Sequence, residues 1–306
     1  MLSRSPIVPV PTLLLVAGPT AVGKTALSVE LAQQLGTEIV SFDARQFYRE
    51  LRIGTAKPTA EEQAGVRHHF IDSHSVRDDY SAGRFAAAAV RLLTDDLFPR
   101  LPVVVAVGGS GLYQQALTDG LPTIPATDPA LRPLLIARLA ADGLPALVEE
   151  LRGLDPVGWG VIDRQNPQRV LRALEVTLGT GRPFSSFRAA PAEAVRPWRT
   201  VFIGLDRPRA ELYARCDARV DAMLAAGLEA EARALLPLRH LNALQTVGYQ
   251  EWGPYFEGAY DYAEAVRLLK RNTRRYAKRQ TTWFRREAQF QWFHPAAGVA
   301  PILRAL

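Results

Sequence analysis

Gly18-Pro19-Thr20-Ala21-Val22-Gly23-Lys24-Thr25 fits the pattern G-x-x-x-x-G-K-[ST]. Binding phosphate calls for these residue types at this spacing. Glycines let backbone N–H groups turn toward phosphate oxygens, and a following helix adds the positive end of its dipole. Lys24 supplies a mobile cation, and the Thr25 hydroxyl is able to ligate Mg²⁺. The loop therefore predicts a di- or triphosphate site, without saying which. The plain alternative is a chance glycine-rich turn, but an apolar strand before the loop and an amphipathic helix after it favour phosphate.

A P-loop ATPase usually ends a later strand in a carboxylate that helps hold Mg²⁺. Here the strand at Val103 to Val107 runs into Gly108-Gly109-Ser110-Gly111, where no acid stands. Small residues at a strand's carboxyl end leave room for a ligand close to the backbone; a tight turn is the other reading. The acid lies instead at the end of the second strand, in Ser41-Phe42-Asp43-Ala44-Arg45-Gln46. That point is on the ligand side of a doubly wound sheet, next to the P-loop, and position alone leaves Asp43 open as a ligand-side group or a helix N-cap.

Charge marks a second site. From Arg267 to Arg286 there are nine cations and no Asp or Glu; setting them aside from the 37 Lys and Arg leaves 28 cations against 31 anions. The basic pI of about 9.7 thus belongs to one C-terminal stretch. Arg267, Lys270, Arg271, Arg274, Arg275, Lys278 and Arg279 recur every three to four residues, one cationic ridge on a helix, without intervening acids. The pattern predicts phosphate-backbone binding rather than a solvated face. Tyr276, Trp283, Phe284 and Trp292 lie nearby, as stacking partners for bases or as core.

These groups need a frame. The run Thr12 to Ala17 reads as a buried parallel strand, and Leu27, Leu31 and Leu35 stripe the helix that stops at Gly36. Glu38 to Phe42, His69 to Ile71, Pro102 to Val107 and Thr200 to Leu205 are further strands, and the remainder after Leu205 reads as helical. Strand alternating with helix predicts an α/β fold, a P-loop-type doubly wound, mostly parallel sheet. The alternation breaks between Pro122 and Pro197, where Leu131 to Ala141, Pro145 to Leu151 and Asn166 to Leu178 have helical periodicity, the last capped by Asn166 with Pro167 at its first position. The expected organisation is a catalytic core of 1–121 and 199–306, in which a Pro6 to Pro11 leader runs into the first strand, and a helical insertion of 122–198.

With 306 residues, 48% hydrophobic and 22% charged, disorder and fibre are excluded. The longest apolar run, Leu13 to Ala17, is far short of a membrane helix, and no secretory layout is visible, so no membrane and a cytoplasmic location are expected. The single cysteine, Cys216, is assigned to helix packing. His68-His69 would face opposite sides of a strand and is set aside as a metal site. Arg215 and Arg219 lie four apart on a helix at Pro208 to Ala226, with solvent as their default.

Taken together, Gly18 to Thr25, Asp43-Ala44-Arg45-Gln46, Ile53 to Pro58, Gly108 to Tyr113, Asn166-Pro167-Gln168-Arg169, Val247-Gly248-Tyr249 and Lys278-Arg279-Gln280-Thr281-Thr282-Trp283 resemble the bacterial tRNA dimethylallyltransferases over residues 13 to 287. The resemblance implies transfer of a prenyl group from dimethylallyl diphosphate to N6 of adenosine 37 in the tRNA anticodon loop, by a monomer using Mg²⁺. It implies Asp43 as proton acceptor, with Lys24, Thr25 (carrying Mg²⁺) and Ser110 in the catalytic set. Diphosphate would lie on Gly18, Pro19, Thr20, Ala21, Val22, Gly23, Lys24 and Thr25, with Arg219 helping. The tRNA route would be lined by Asp43, Ala44, Arg45, Gln46, Ser110, Arg132, Gln165, Asn166, Pro167, Gln168, Arg169, Gln245, Thr246, Val247, Gly248, Tyr249, Gln250, Lys278, Arg279, Gln280, Thr281, Thr282, Trp283, Phe284 and Arg285, the insertion clamping the anticodon arm. Ala44 replaces the commoner Ser, and Ser110 replaces Thr but keeps the hydroxyl. A P-loop small-molecule kinase and an adenylate prenyltransferase acting on free nucleotides are the rival readings.

Overall fold

The computed structural model describes residues 10–188 and 195–306. Pro6 and Pro9 of the leader, and Pro191, lie outside the described residues. Two compact units emerge: one is built from the chain up to Thr118 and from Val195 to Leu306, the other is Asp119–Ala194.

In the first unit, β1 (Thr12–Ala17) is buried along its whole length, as a continuous apolar run demands in the middle of a parallel sheet. It pairs in parallel with β4 (Val103–Gly108) on one side and β5 (Arg199–Leu205) on the other. With β2 (Ile39–Ser41), β3 (His68–His69) and β6 (Gln291–Phe293) the order is β3-β2-β4-β1-β5-β6, every pairing parallel. Helix α1 (Lys24–Leu35) follows β1 and stops at Gly36, which takes the left-handed conformation at φ 60°. Leu14, Val16, Val105 and Ile203 of the sheet pack with Leu27 and Leu31 of α1, and each fully buried aliphatic side chain contributes about 1.5–3 kcal/mol. Cys216 sits in that cluster, packed as assigned, and burial pushes its thiol up to about 11.

Two strand expectations change. β3 ends at His69 because Phe70, at φ 62°, and Asp72, at φ 54°, turn the chain out of the extended region. β6 lies in the stretch read as helical: its three residues pair with β5, Gly204 opposite Trp292. Between the sheet's strands run α2 (Ala82–Leu92), α3 (Gly111–Thr118), α6 (Arg209–Ala225), α7 (Leu228–Ala234) and α8 (Tyr262–Phe284), the last carrying most of the cations.

The second unit is helical. α4 (Leu131–Leu154) is broken at Gly143, φ 77°, just before Pro145, so two helical stretches meet there. α5 (Pro167–Thr180) starts at Asn166, whose side chain accepts from the Gln168 and Arg169 amides. Leu135, Leu147, Leu151, Val170, Leu171 and Leu174 form its core. Among the described residues no helix is long and apolar enough to cross a membrane.

Candidate active site

The glycine loop leaves β1 through Gly18, at φ 155°, where a Cβ would lie 2.7 Å from the Leu205 carbonyl oxygen. Three arginines brace the loop from outside. Arg215 Nε donates to Ala21 O at 2.7 Å, Arg207 Nε to Val22 O at 2.8 Å, and Arg219 Nη1 to Thr20 Oγ1 at 3.2 Å. The C=O and N–H of a trans peptide point in opposite directions, so tying these carbonyls turns the amides of the same peptides the other way. The expectation of solvent is corrected for Arg219, which α6 lays half-buried on the P-loop, while Arg215 stays exposed, as expected, and reaches the loop with its Nε. Arg207 was not foreseen at all, because the contact spans 185 positions and leaves no local pattern.

Lys24 folds back to donate to Gly18 O and Pro19 O, each at 2.9 Å. Burial, with the like charge of Arg219 second, brings its ammonium down to about 7, while Asp43 pulls in the opposite direction. Burial also lowers the Arg219 guanidinium. Two cations that burial disfavours in their charged form, side by side at the loop, make a site that favours an anion. Thr25 lies half-buried in the first turn of α1, and its hydroxyl takes no hydrogen bond from the described residues.

Asp43 stands just beyond β2. That strand is separated from β1 by β4, so Asp43 is not immediately next to the P-loop; the two sides face each other across the glycines that end β4. Asp43 Oδ1 accepts from the Arg45 amide at 2.9 Å and the Gln46 amide at 3.3 Å, and Oδ2 takes no hydrogen bond from the described residues. The capped element is a turn, not a helix. The Ala44 amide donates to Ser110 Oγ at 2.9 Å, so the backbone ties these two loops although Ala44 has no hydroxyl. The Tyr276 hydroxyl is within hydrogen-bonding reach of Ser110, and burial pushes it up to about 12.

The reading of Gly108, Gly109 and Gly111 as room for a ligand is corrected. Their missing side chains make room for the protein itself: a Cβ would meet Phe42 at 2.3 Å, Gln280 Nε2 at 2.4 Å and Trp283 Nε1 at 2.1 Å, respectively. Gln280 and Trp283 therefore pack against the end of β4. Phe284 is fully buried and stacks edge-on to Phe290, so its side chain belongs to the core and not to an RNA surface. Thr281 and Thr282 bond back to the Ala277 and Lys278 carbonyls, while Lys278, Arg279 and Arg285 are exposed.

Gln46 donates to Thr55 O and Ala56 O, and Arg45 to Ala44 O and Asn242 O, which joins the Asp43 turn to the segments at 53–58 and 242–250. Tyr249 is buried, and Gly248, at φ 105°, packs on the Gly54 carbonyl, while Gln245 and Gln250 are exposed. The Thr246 carbonyl accepts from the Tyr249 and Gln250 amides, and Val247 is half-buried. Glu231 and Glu251, both unforeseen, hold this region. Glu231 accepts from the Ile53 and Gly54 amides; Glu251 accepts from the Gly248 amide and Asn272, and burial raises its carboxyl. In the second unit Arg132 binds both Gln168 and Glu175, while Gln165, Gln168 and Arg169 are exposed.

The cationic ridge is less free than its sequence implies. Acids from elsewhere supply what the stretch lacks: Lys270 pairs with Asp221 at 2.6 Å, Arg274 with Asp217 at 2.5 Å, Arg285 with Asp206, and Arg267 with Glu264 at 2.6 Å. Arg275, Lys278 and Arg279 are exposed and form no ion pair with the described residues. His69, set aside as a metal ligand, bonds Glu38, which Arg100 holds down to about 2; no cluster of acids, His and Cys suited to a metal occurs among the described residues.

A parallel sheet with a cation-lined phosphate nest after its central strand, and its carboxylate on the second strand, defines a P-loop group transferase. The chain belongs to the IPP transferase family, whose model matches residues 46–287. It is 51% identical over 282 residues to a tRNA dimethylallyltransferase of Cytophaga hutchinsonii, covering 92% of each chain. It is also 51% identical to tRNA dimethylallyltransferase 2 of Porphyromonas gingivalis, covering 95% of this chain and 97% of that one. Among solved structures, the full-length tRNA isopentenylpyrophosphate transferase of Bacillus halodurans superposes with a TM-score of 0.67 at 40% identity, covering 92% of this chain and 89% of that one. A eukaryotic dimethylallyltransferase acting on tRNA gives 0.73 at 26% identity, covering 90% and 70%.

Proposed function

We propose that this chain transfers the dimethylallyl group of dimethylallyl diphosphate to N6 of adenosine 37 in tRNA. The observation that carries it is the placing of Asp43, beyond β2, within electrostatic reach of Lys24 and its neighbour Arg219 at the glycine loop beyond β1, with β4 between. N6 attacks the prenyl carbon, the carbon–oxygen bond to diphosphate breaks, and the N6 proton passes to Asp43. Lys24, Arg219 and the loop amides hold the charge that grows on the departing diphosphate. Departure of diphosphate requires no acid at the end of β4 to support ATP hydrolysis.

The free hydroxyl of Thr25 beside the nest, together with substrate phosphates, suits a hard cation such as Mg²⁺, which binds through few protein oxygens. Bound there, Mg²⁺ would neutralise diphosphate charge. An anticodon-loop base must leave its stack to reach Asp43. The exposed Lys278, Arg279 and Arg275 supply phosphate contacts, Gln245 and Gln250 line the base's approach, and Arg132 with Gln165 to Arg169 of the second unit grip the anticodon arm. The enzyme works as a monomer in the cytoplasm, where its tRNA substrate is.

Incubation with dimethylallyl diphosphate, Mg²⁺ and an unmodified anticodon stem-loop, then mass spectrometry of the nucleosides, tests this. Prenylated adenosine from the stem-loop is the expected product. Phosphate transfer from ATP to a small acceptor, or prenylation of AMP as fast as of RNA, replaces the reading with one of its rivals.

A further inference from the structure

Gln280 spans two loops that the reaction must hold in register. Its Oε1 accepts from the Thr20 amide of the phosphate nest at 2.8 Å, and its Nε2 donates to the Gly109 carbonyl at 2.7 Å. The side chain is 6% exposed, and a Cβ on Gly109 would collide with it. A primary amide offers a donor and an acceptor on one planar group at any pH, whereas an ionised carboxylate only accepts and a thioether supplies no donor, so the site selects Gln over Glu or Met of the same length. Tyr276, one turn earlier on α8, reaches Ser110, and Trp283, one turn later, covers Gly111. One stripe of α8 is thus keyed to the whole 109–111 loop, and Gln280 within it also hydrogen-bonds the P-loop.

We infer that Gln280, resting on the prenyl-transfer reading above, is a positioning residue and not an RNA contact: it sets the distance between the diphosphate held by the nest and the Ser110 and Asp43 loops that meet the base. The Ser110 hydroxyl accepts from the Ala44 amide, next to Asp43, so a shift of Gly109 passes directly to the proton acceptor. A displacement near 1 Å between reacting groups costs up to about 100-fold in rate. Loss of both bonds in a buried place also leaves an amide and a carbonyl unpaired.

The experiment compares Gln280→Met and Gln280→Glu with the parent enzyme on an anticodon stem-loop and dimethylallyl diphosphate, after thermal melts establish that each is folded. Gln280→Met should lower kcat about tenfold or more, with tRNA Kd within about twofold of the parent's. Gln280→Glu keeps an acceptor for Thr20 but sets a carboxylate against the Gly109 carbonyl. Its kcat relative to the parent should rise as pH falls from 8 to 6, because a protonated carboxyl donates where the amide did. That pH-dependent recovery is a response that simple loss of packing does not produce, and Gln280→Glu carries the test where Gln280→Met does not fold. A kcat within twofold of the parent's in a folded variant, a relative kcat flat with pH, or tRNA affinity lost in step with turnover overturns the assignment. Absence of prenylated product from the parent enzyme instead defeats the prenyl-transfer reading.

Discussion

The Tyr249 hydroxyl donates to Glu231 Oε1 at 2.6 Å, and the same carboxylate accepts the Ile53 and Gly54 amides at 2.9 and 3.0 Å. One side chain of α7 therefore fastens two loops that flank the Asp43 turn. Glu231→Ala strands two amides and a phenol, each unpaired group costing about 1–3 kcal/mol. Tyr249→Phe removes one bond and leaves the amides satisfied, a loss of about 1 kcal/mol. Urea titrations should rank the two variants in that order; equal losses would show that the amides find other partners.

Lys24 has a pH signature. In the folded chain its ammonium is down at about 7 from an ordinary 10.5. Below pH 7 it is charged folded and unfolded, and the cost of burying that charge is fully present. Between 7 and 10.5 the unfolded chain holds more protons, so this group's contribution to stability rises with pH across the window. Lys24→Met should therefore stabilise the protein more at pH 6 than at pH 9.5. An anion in the nest favours the charged form, so diphosphate binding at pH 8 should draw a proton from the buffer. Calorimetry in buffers of different ionisation heat reads that uptake, and Lys24→Met should abolish it.

Much of this arrangement is local and for that reason visible in a single sequence. The nest, α1 with its Gly36 stop, the Asn166 cap and the apolar strands β1, β2, β4 and β5 all declare themselves within a dozen residues. What stays hidden joins distant segments. Arg207, just before α6, and Arg215, on it, give no local sign that their guanidinium groups reach the Val22 and Ala21 carbonyls. The glycines of Gly108 to Gly111 look like ligand space until Phe42, Gln280 and Trp283 fill it. β6 is three residues long and finds its place only through β5. The ridge was read from its own acid-free stretch, but Asp217 and Asp221 come from another helix.

Asp43 is the group whose chemistry is most directly testable. Oδ1 is occupied by the amides of its own turn, which leaves Oδ2 for a substrate proton. Asp43→Ala should lower turnover by about 10²–10⁴-fold, the range for loss of a positioned base, while tRNA affinity is largely kept. Asp43→Asn, which keeps an acceptor for the turn and loses the base, should be as inactive. If single-turnover kinetics gave near-parent rates for either variant, Asp43 would be a turn cap alone.

The ridge divides into two sets that should behave differently. Lys270 and Arg274 are engaged by Asp221 and Asp217, so a phosphate would have to displace a carboxylate before it gained either cation. Arg275, Lys278 and Arg279 face solvent and form no ion pair with the described residues, and Arg279 also lies over the Tyr276 ring at 5.6 Å. Each cation released from its counterions by an RNA phosphate contributes about 0.7–0.9 to the slope of log K against log salt. Replacing Arg275, Lys278 and Arg279 together by Ala should weaken tRNA binding and flatten that slope by about 2–3. Replacing Lys270 and Arg274 should change the slope by less than about 1 and act mainly on the packing of α6 against α8. Filter binding across a salt series distinguishes them, and an unchanged slope in the first variant would mean that the exposed set is simply hydrated.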